Sequence, residues 1–100
     1  MVSGRLHRFV VVGDSMLPKL RDGDLVIARP SRRARPGQLR VVEHPHRPGM
    51  WLVKRVETVR DDGHMTVMSD NPDSTRADSR TFGHLPVAGS LRVLFRVRRR

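Results

Sequence analysis

A serine and a lysine, far apart in the chain, are the residues best suited to chemistry. Ser15 lies in residues 13–18, GDSMLP, and Lys54 lies in residues 53–56, VKRV. The chain has two lysines and eighteen arginines, so a lysine stands out where arginine is the usual cation. A buried lysine can lose its proton, whereas an arginine effectively cannot. A neutral lysine amine beside a serine hydroxyl can act as a general base, which predicts a serine-lysine hydrolase.

The strand that carries Lys54 favours this role. Side chains alternate between the two faces of a strand, so Lys54 shares a face with Leu52 and Val56. An ammonium on an apolar face is costly, and the pKa of Lys54 should therefore fall toward neutrality. The alternative is a lysine that buries its stem and extends its amine into solvent.

Ser15 follows the residues VVVGD, where a strand ends and a turn begins. Gly13 allows a tight turn that could present both the Ser15 hydroxyl and a backbone N–H group. Such an N–H group could bind a developing oxyanion. The alternative is a serine that only caps a short helical turn over residues 16–20.

Short β-rich runs alternate with turn residues, which predicts a mainly β domain of antiparallel strands with at most one short helical turn. Residues 22–24 and 61–63 are expected to form turns, the second of them joining a hairpin. Loops are expected at residues 30–37, which are basic, and at residues 69–80, which are polar. The predicted strands span residues 7–12, 24–29, 38–43, 50–59, 64–68 and 90–98.

Length and composition fit a single domain over residues 1–100. The absence of cysteine excludes disulfides and thiolate metal sites. No apolar run approaches the ~18 residues that cross a bilayer, and no signal peptide is evident, so we expect a cytoplasmic protein.

The formal charge of +10 raises the question of an anionic partner. The chain has four aromatic residues and no aromatic stacking motif, so we expect no specific nucleic-acid partner. Peripheral association with anionic membranes is an accessory property that the same charges could support.

Four segments in order resemble the sequence boxes of type I signal peptidases. Residues 15–18 and 22–26 (SMLP and DGDLV) resemble the nucleophile box and the box after it, and residues 53–56 resemble the lysine box. Residues 69–71 and 78–83 (SDN and DSRTFG) resemble the final box. The resemblance covers roughly residues 9–97 and implies the small β-fold of coiled antiparallel sheets shared by signal peptidases and LexA-like self-cleaving repressors.

The resemblance implies a Ser15/Lys54 dyad, with Ser15 attacking the scissile carbonyl and its backbone N–H contributing to the oxyanion hole. Gly13 stands where some relatives supply a second oxyanion donor. Either Ser74 or Thr75 would orient the lysine amine. The resemblance also implies that Asp78 and Arg80 form an ion pair that shapes the final-box loop. It implies that Met16 lines the pocket for the residue before the cut.

The compact form and the final box are most similar to the maturation proteases of nickel-type superoxide dismutase. That similarity implies removal of a short amino-terminal propeptide or leader from a precursor protein bound as an extended peptide. One departure is Ser69, where the family usually has glycine before Asp-Asn. No cofactor is implied. His44 and His46 superficially suggest a metal site, but Pro45 between them makes a shared strand face awkward and no carboxylate cluster accompanies them, so we expect no metal site. The sequence leaves the oligomeric state open.

Two rival functions fit parts of the same sequence. A non-catalytic basic module would bind nucleic acid or anionic membranes, with an affinity that falls as salt rises. An anchor-less type I signal peptidase would act on exported preproteins, and it would need access to the outer face of a membrane.

Overall fold

The chain folds as one open antiparallel sheet. The computed structural model describes residues 5–71, 73 and 79–98. Its seven strands follow the spatial order β1-β2-β7-β3-β4-β5-β6, and every pairing is antiparallel. The elements are β1 His7–Val10, β2 Leu25–Pro30, β3 Leu39–Glu43, β4 Trp51–Val59, β5 His64–Met68, α1 Ser79–Phe82, β6 Leu85–Pro86 and β7 Leu91–Val97. The mainly β prediction is confirmed.

The strand ends differ from the sequence prediction in ways that local chemistry explains. β1 ends at Val10, because the chain turns at Gly13, whose φ is +84°. The segment 16–20 forms a turn closed by a 2.9 Å bond from the Leu20 N–H to the Met16 carbonyl, and the four-residue helix α1 lies in the polar loop instead. The two-residue strand β6 was not predicted, because Pro86 lacks the N–H group that a strand residue usually donates. The proline is tolerated because β6 lies at the edge of the sheet.

Alternation along β3 assigns the apolar side chains to two clusters. Val41 and Val42 are neighbours in sequence but belong to different clusters, because successive side chains of a strand point to opposite faces. One cluster gathers under β2, β7 and the segment after β1, and the other under β4, β5 and β6. The buried members of the first are Val11, Met16, Leu20, Val26, Ala28, Val41 and Leu91, and those of the second are Val42, Val56, Met65, Val67, Leu85 and Val87.

The β4–β5 hairpin carries an irregularity that matters for the site. Its turn uses Gly63 at a φ of +84°, as the predicted turn over residues 61–63 requires. Near the turn, Thr58 faces Thr66, but beyond it Val56 faces Val67, so β4 has one extra residue, Glu57. This β-bulge shifts by one residue every pairing farther from the turn.

Candidate active site

Ser15 is held in the turn after β1 by contacts with two other segments. The Gly13 N–H donates to Asp22 Oδ1 at 2.7 Å, which ties this turn to the turn over residues 22–24. The Ser15 carbonyl accepts the Asn71 N–H at 2.8 Å, and the Asp14 carbonyl accepts Asn71 Nδ2 at 3.1 Å. Ser15 itself is partly exposed. These bonds place the serine beside the segment that follows β5.

Lys54 lies in the middle of β4 and is 2 % exposed. Its Nζ donates to Ser69 Oγ at 3.0 Å, and Ser69 is itself buried. Val56, on the same face of β4, belongs to the second apolar cluster. The alternative of a lysine extended into solvent is therefore wrong.

The β-bulge decides which side chain faces Lys54. If the strand pairs are counted from the hairpin turn without a bulge, Lys54 would lie opposite Asp70. With the bulge, Arg55 pairs with Met68, and the next pair places Ser69 opposite Lys54. A carboxylate at that position would favour the charged ammonium, whereas a hydroxyl adds no charge. In the sequence, Ser69 stands out only as a departure from the family pattern, because the hairpin turn can be predicted but a bulge cannot.

Asp70 instead pairs with Arg55. Arg55 donates from Nε and Nη2 to the two Asp70 carboxylate oxygens at 2.9 and 2.7 Å, and from Nη1 to the Gly37 carbonyl at 2.8 Å. The hydrogen bond to Asp70 raises the pKa of Arg55 above its usual value. This bidentate pair fixes the segment that carries Ser69 and Asn71 against β4.

Ser15 and Lys54 line the same cavity, whose volume is about 140 Å³. It is small enough to suit a small side chain. Larger cavities of about 330 and 410 Å³ lie elsewhere, and neither includes Ser15 or Lys54. The shared cavity is lined by Val10, Val11, Val12, Ser15, Met16, Met50, Trp51, Leu52, Val53 and Lys54.

The remaining predicted site residues divide into two groups. Met16 lines the cavity, but it is 1 % exposed and packs in the first apolar cluster, where its Sδ accepts the Asp70 N–H at 3.5 Å. Arg80 is an exposed residue of α1. The lysine-orienting candidates and the expected ion-pair partner of Arg80 lie outside the described residues: they are Ser74, Thr75 and Asp78.

The family of the chain follows from its sequence. The model of the family described as Peptidase S24-like matches residues 3–90. The chain belongs to the Peptidase S24-like family. Membership confirms the resemblance to the clan of LexA-like and signal-peptidase serine peptidases, and it assigns this S24-like chain a serine-peptidase type of function. Searches of curated proteins and of solved structures gave no match.

Two further properties concern ligands and membranes. Within residues 5–71, 73 and 79–98, no group of three or more histidine, aspartate or glutamate side chains is arranged to hold a metal ion. In the same part of the chain, no helix has the length and apolar character needed to cross a bilayer.

Proposed function

We propose that this S24-like chain is a serine endopeptidase in which Ser15 is the nucleophile and Lys54 is the general base. The observation that carries the proposal is the shared cavity, which is lined by both the partly exposed Ser15 and the buried Lys54. Burial lowers the pKa of a lysine, so the Lys54 amine can be neutral and accept a proton near pH 7. The nearby hydroxyl of Ser69 holds the amine in place.

In the proposed reaction, Ser15 Oγ attacks the carbonyl carbon of the scissile peptide bond and its proton passes to Lys54 Nζ. The C–N bond then breaks, and Lys54 returns the proton to the leaving amine. Water hydrolyses the resulting ester, with Lys54 again accepting a proton and Ser15 regaining its own. The mechanism needs Ser15 Oγ and Lys54 Nζ within ~2.6–3.2 Å when substrate is bound. The backbone N–H of Ser15 is the proposed donor to the oxyanion.

The edge of the sheet beside the cavity suits an extended peptide. β1 is an edge strand. On the side of β2, the Val11 N–H donates to the Asp24 carbonyl and the Val11 carbonyl accepts the Gly23 N–H, each at 2.8 Å. Backbone groups alternate sides along a strand, so those of Val10 and Val12 point to the open edge. A substrate strand that pairs there would pass along the cavity wall that contains Ser15.

The proposed substrate is a precursor protein from which the enzyme removes a short amino-terminal propeptide or leader. The small volume of the cavity favours small residues next to the cut. The precursor of a nickel-type superoxide dismutase is our candidate, and it rests on the resemblance of the final box alone.

Cleavage of that precursor by the purified protein, followed by mass spectrometry, tests the proposal. We expect Ser15→Ala and Lys54→Met to abolish cleavage while the circular dichroism spectrum is retained. The matched control is Lys19→Met, which removes the other lysine of the chain, an exposed one, and should leave cleavage unchanged. Wild-type cleavage by Lys54→Met would refute the dyad, and cleavage of other precursors but not this one would refute only the candidate substrate.

A further inference from the structure

A second buried cation lies next to Lys54. Arg40 of β3 is directly opposite Lys54 of β4 and is 0 % exposed. Directly opposed residues of antiparallel strands point to the same face of the sheet, with Cα atoms about 4.5–5.5 Å apart. On the other side of β3, Arg40 faces Arg92 of β7, which is exposed. Three cations therefore lie in one row across three strands.

The Arg40 guanidinium is held by neutral oxygen atoms. Its Nε donates to Ser90 Oγ at 2.9 Å, its Nη1 to the Arg33 carbonyl at 3.3 Å and its Nη2 to the Ser31 carbonyl. Among the described residues, no carboxylate pairs with it. Burial, and then repulsion by Arg92, lowers the pKa of Arg40 to about 10. Arg40 thus keeps its positive charge at neutral pH.

We propose that Arg40 is a positioning residue of the active site, whose buried and uncompensated charge keeps the Lys54 amine in its neutral, proton-accepting form. A like charge on the same face disfavours the protonated amine, and the apolar surroundings weaken the screening of that repulsion. The inference rests on the proposed role of Lys54 as base. It adds the charge of Arg40 to burial as a second reason why the Lys54 amine is neutral.

Among the described residues, the other charged groups on the elements around Lys54 are paired or exposed. After β5, the side chain that faces the amine is the neutral Ser69, and Asp70 is engaged by Arg55. In the turn after β1, the carboxylate of Asp14 is exposed and screened by water. Arg80 of α1 is also exposed, and Asp78 lies outside the described residues.

The test measures the titration of Lys54 directly, by NMR of the lysine side chains labelled with ¹³C and ¹⁵N. The chain has only two lysines, so exposed Lys19 serves as an internal reference, and Lys19→Arg assigns the signals. In Arg40→Met and Arg40→Gln we expect the pKa of Lys54 to rise by about one unit. For scale, two unit charges about 10 Å apart at an effective dielectric constant of about 20 interact by roughly one pKa unit. The low-pH limb of cleavage activity should move to higher pH by the same amount.

A second pair of variants tests the same charge without removing Arg40. Ser90→Asp places a carboxylate against Arg40 Nε, whereas Ser90→Asn has nearly the same size and no charge. Ser90 also lines the cavity of about 330 Å³, which gives the larger side chains room. We expect Ser90→Asp to raise the pKa of Lys54 relative to Ser90→Asn. This pair decides the matter if the Arg40 variants fail to fold.

The outcomes separate this inference from the proposed function. If Lys54 titrates like Lys19 in the wild-type protein, the proposed general base is wrong, and the role of Arg40 falls with it. If the pKa of Lys54 is low but unchanged when the charge of Arg40 is removed or paired, Arg40 only anchors the loop over residues 30–37, and the dyad stands.

Discussion

Removal of the Ser69 hydroxyl should weaken catalysis as well as the fold. Ser69→Ala deletes an acceptor 3.0 Å from Lys54 Nζ, in a place where Ser69 is 7 % and Lys54 2 % exposed. Loss of one partner of a buried hydrogen bond costs about 1–3 kcal/mol. If that loss also applies to the oriented amine in the transition state, kcat/KM should fall about 5- to 150-fold, since ~1.4 kcal/mol is a factor of ten. The decrease should appear in kcat, because Ser69 is not among the residues that line the cavity.

The assay is cleavage of the precursor at a temperature well below the melting transition of every variant. Ser79→Ala is the matched control, because Ser79 Oγ accepts the Val67 N–H of β5 at 2.7 Å, a hydrogen bond that does not involve Lys54. It should lower stability by about 1 kcal/mol and leave kcat unchanged. Ser69→Gly restores the residue usual in the family, and it should lose activity as Ser69→Ala does. Equal kcat values for wild type and Ser69→Ala would refute the idea that this hydroxyl positions the base.

Three further predictions concern the framework around the site. Gly63→Ala should cost about 1–2 kcal/mol by urea denaturation, because φ is +84° while the added Cβ would meet nothing within 4 Å, so the loss is purely a backbone effect. Met65→Ala should cost about 2–5 kcal/mol in the same assay, because the side chain is 0 % exposed and its removal leaves a cavity in the second cluster. A double-mutant cycle with Arg55→Met and Asp70→Asn should give a coupling of about 1–2 kcal/mol, since the bidentate pair is partly buried; a coupling near zero would mean that it does not hold the Ser69 segment.

The sequence was sufficient for most of the sheet, because alternation and turn residues are local signals. The bounds of β5 were predicted without error, and the turn over residues 61–63 was placed correctly. β6 was missed, because two residues that include a proline have neither the length nor the donors of an ordinary strand. A turn over residues 16–20 forms as predicted, closed by the bond from the Leu20 N–H to the Met16 carbonyl, whereas the four-residue helix at Ser79–Phe82 was not predicted.

The candidate site residues could be chosen from the sequence, but their neighbours could not. Ser15 and Lys54 could be singled out because their residue types and flanking patterns are unusual in this chain, and the structure places both on one cavity. The side chain opposite Lys54 depends on a single extra residue in β4, and nothing in the local sequence marks Glu57 as that residue. The family resemblance pointed to Ser74 or Thr75 as the lysine-orienting hydroxyl. Both lie outside the described residues, and the described hydroxyl that accepts from Lys54 is that of Ser69.

The burial of two cations on one face argues that this region is arranged for chemistry more than for stability. A domain of 100 residues buries a limited share of its surface and has little stability to spare. A buried charge without a counter-charge is a stability cost that a methionine at position 40 would remove, and water can replace the guanidinium at the loop carbonyls of Ser31 and Arg33. If Arg40 served only to anchor that loop, its removal would lower the melting temperature and leave Lys54 unaffected. If it serves the base, the fold should tolerate the change while the pH profile moves, and no purely structural role predicts that combination.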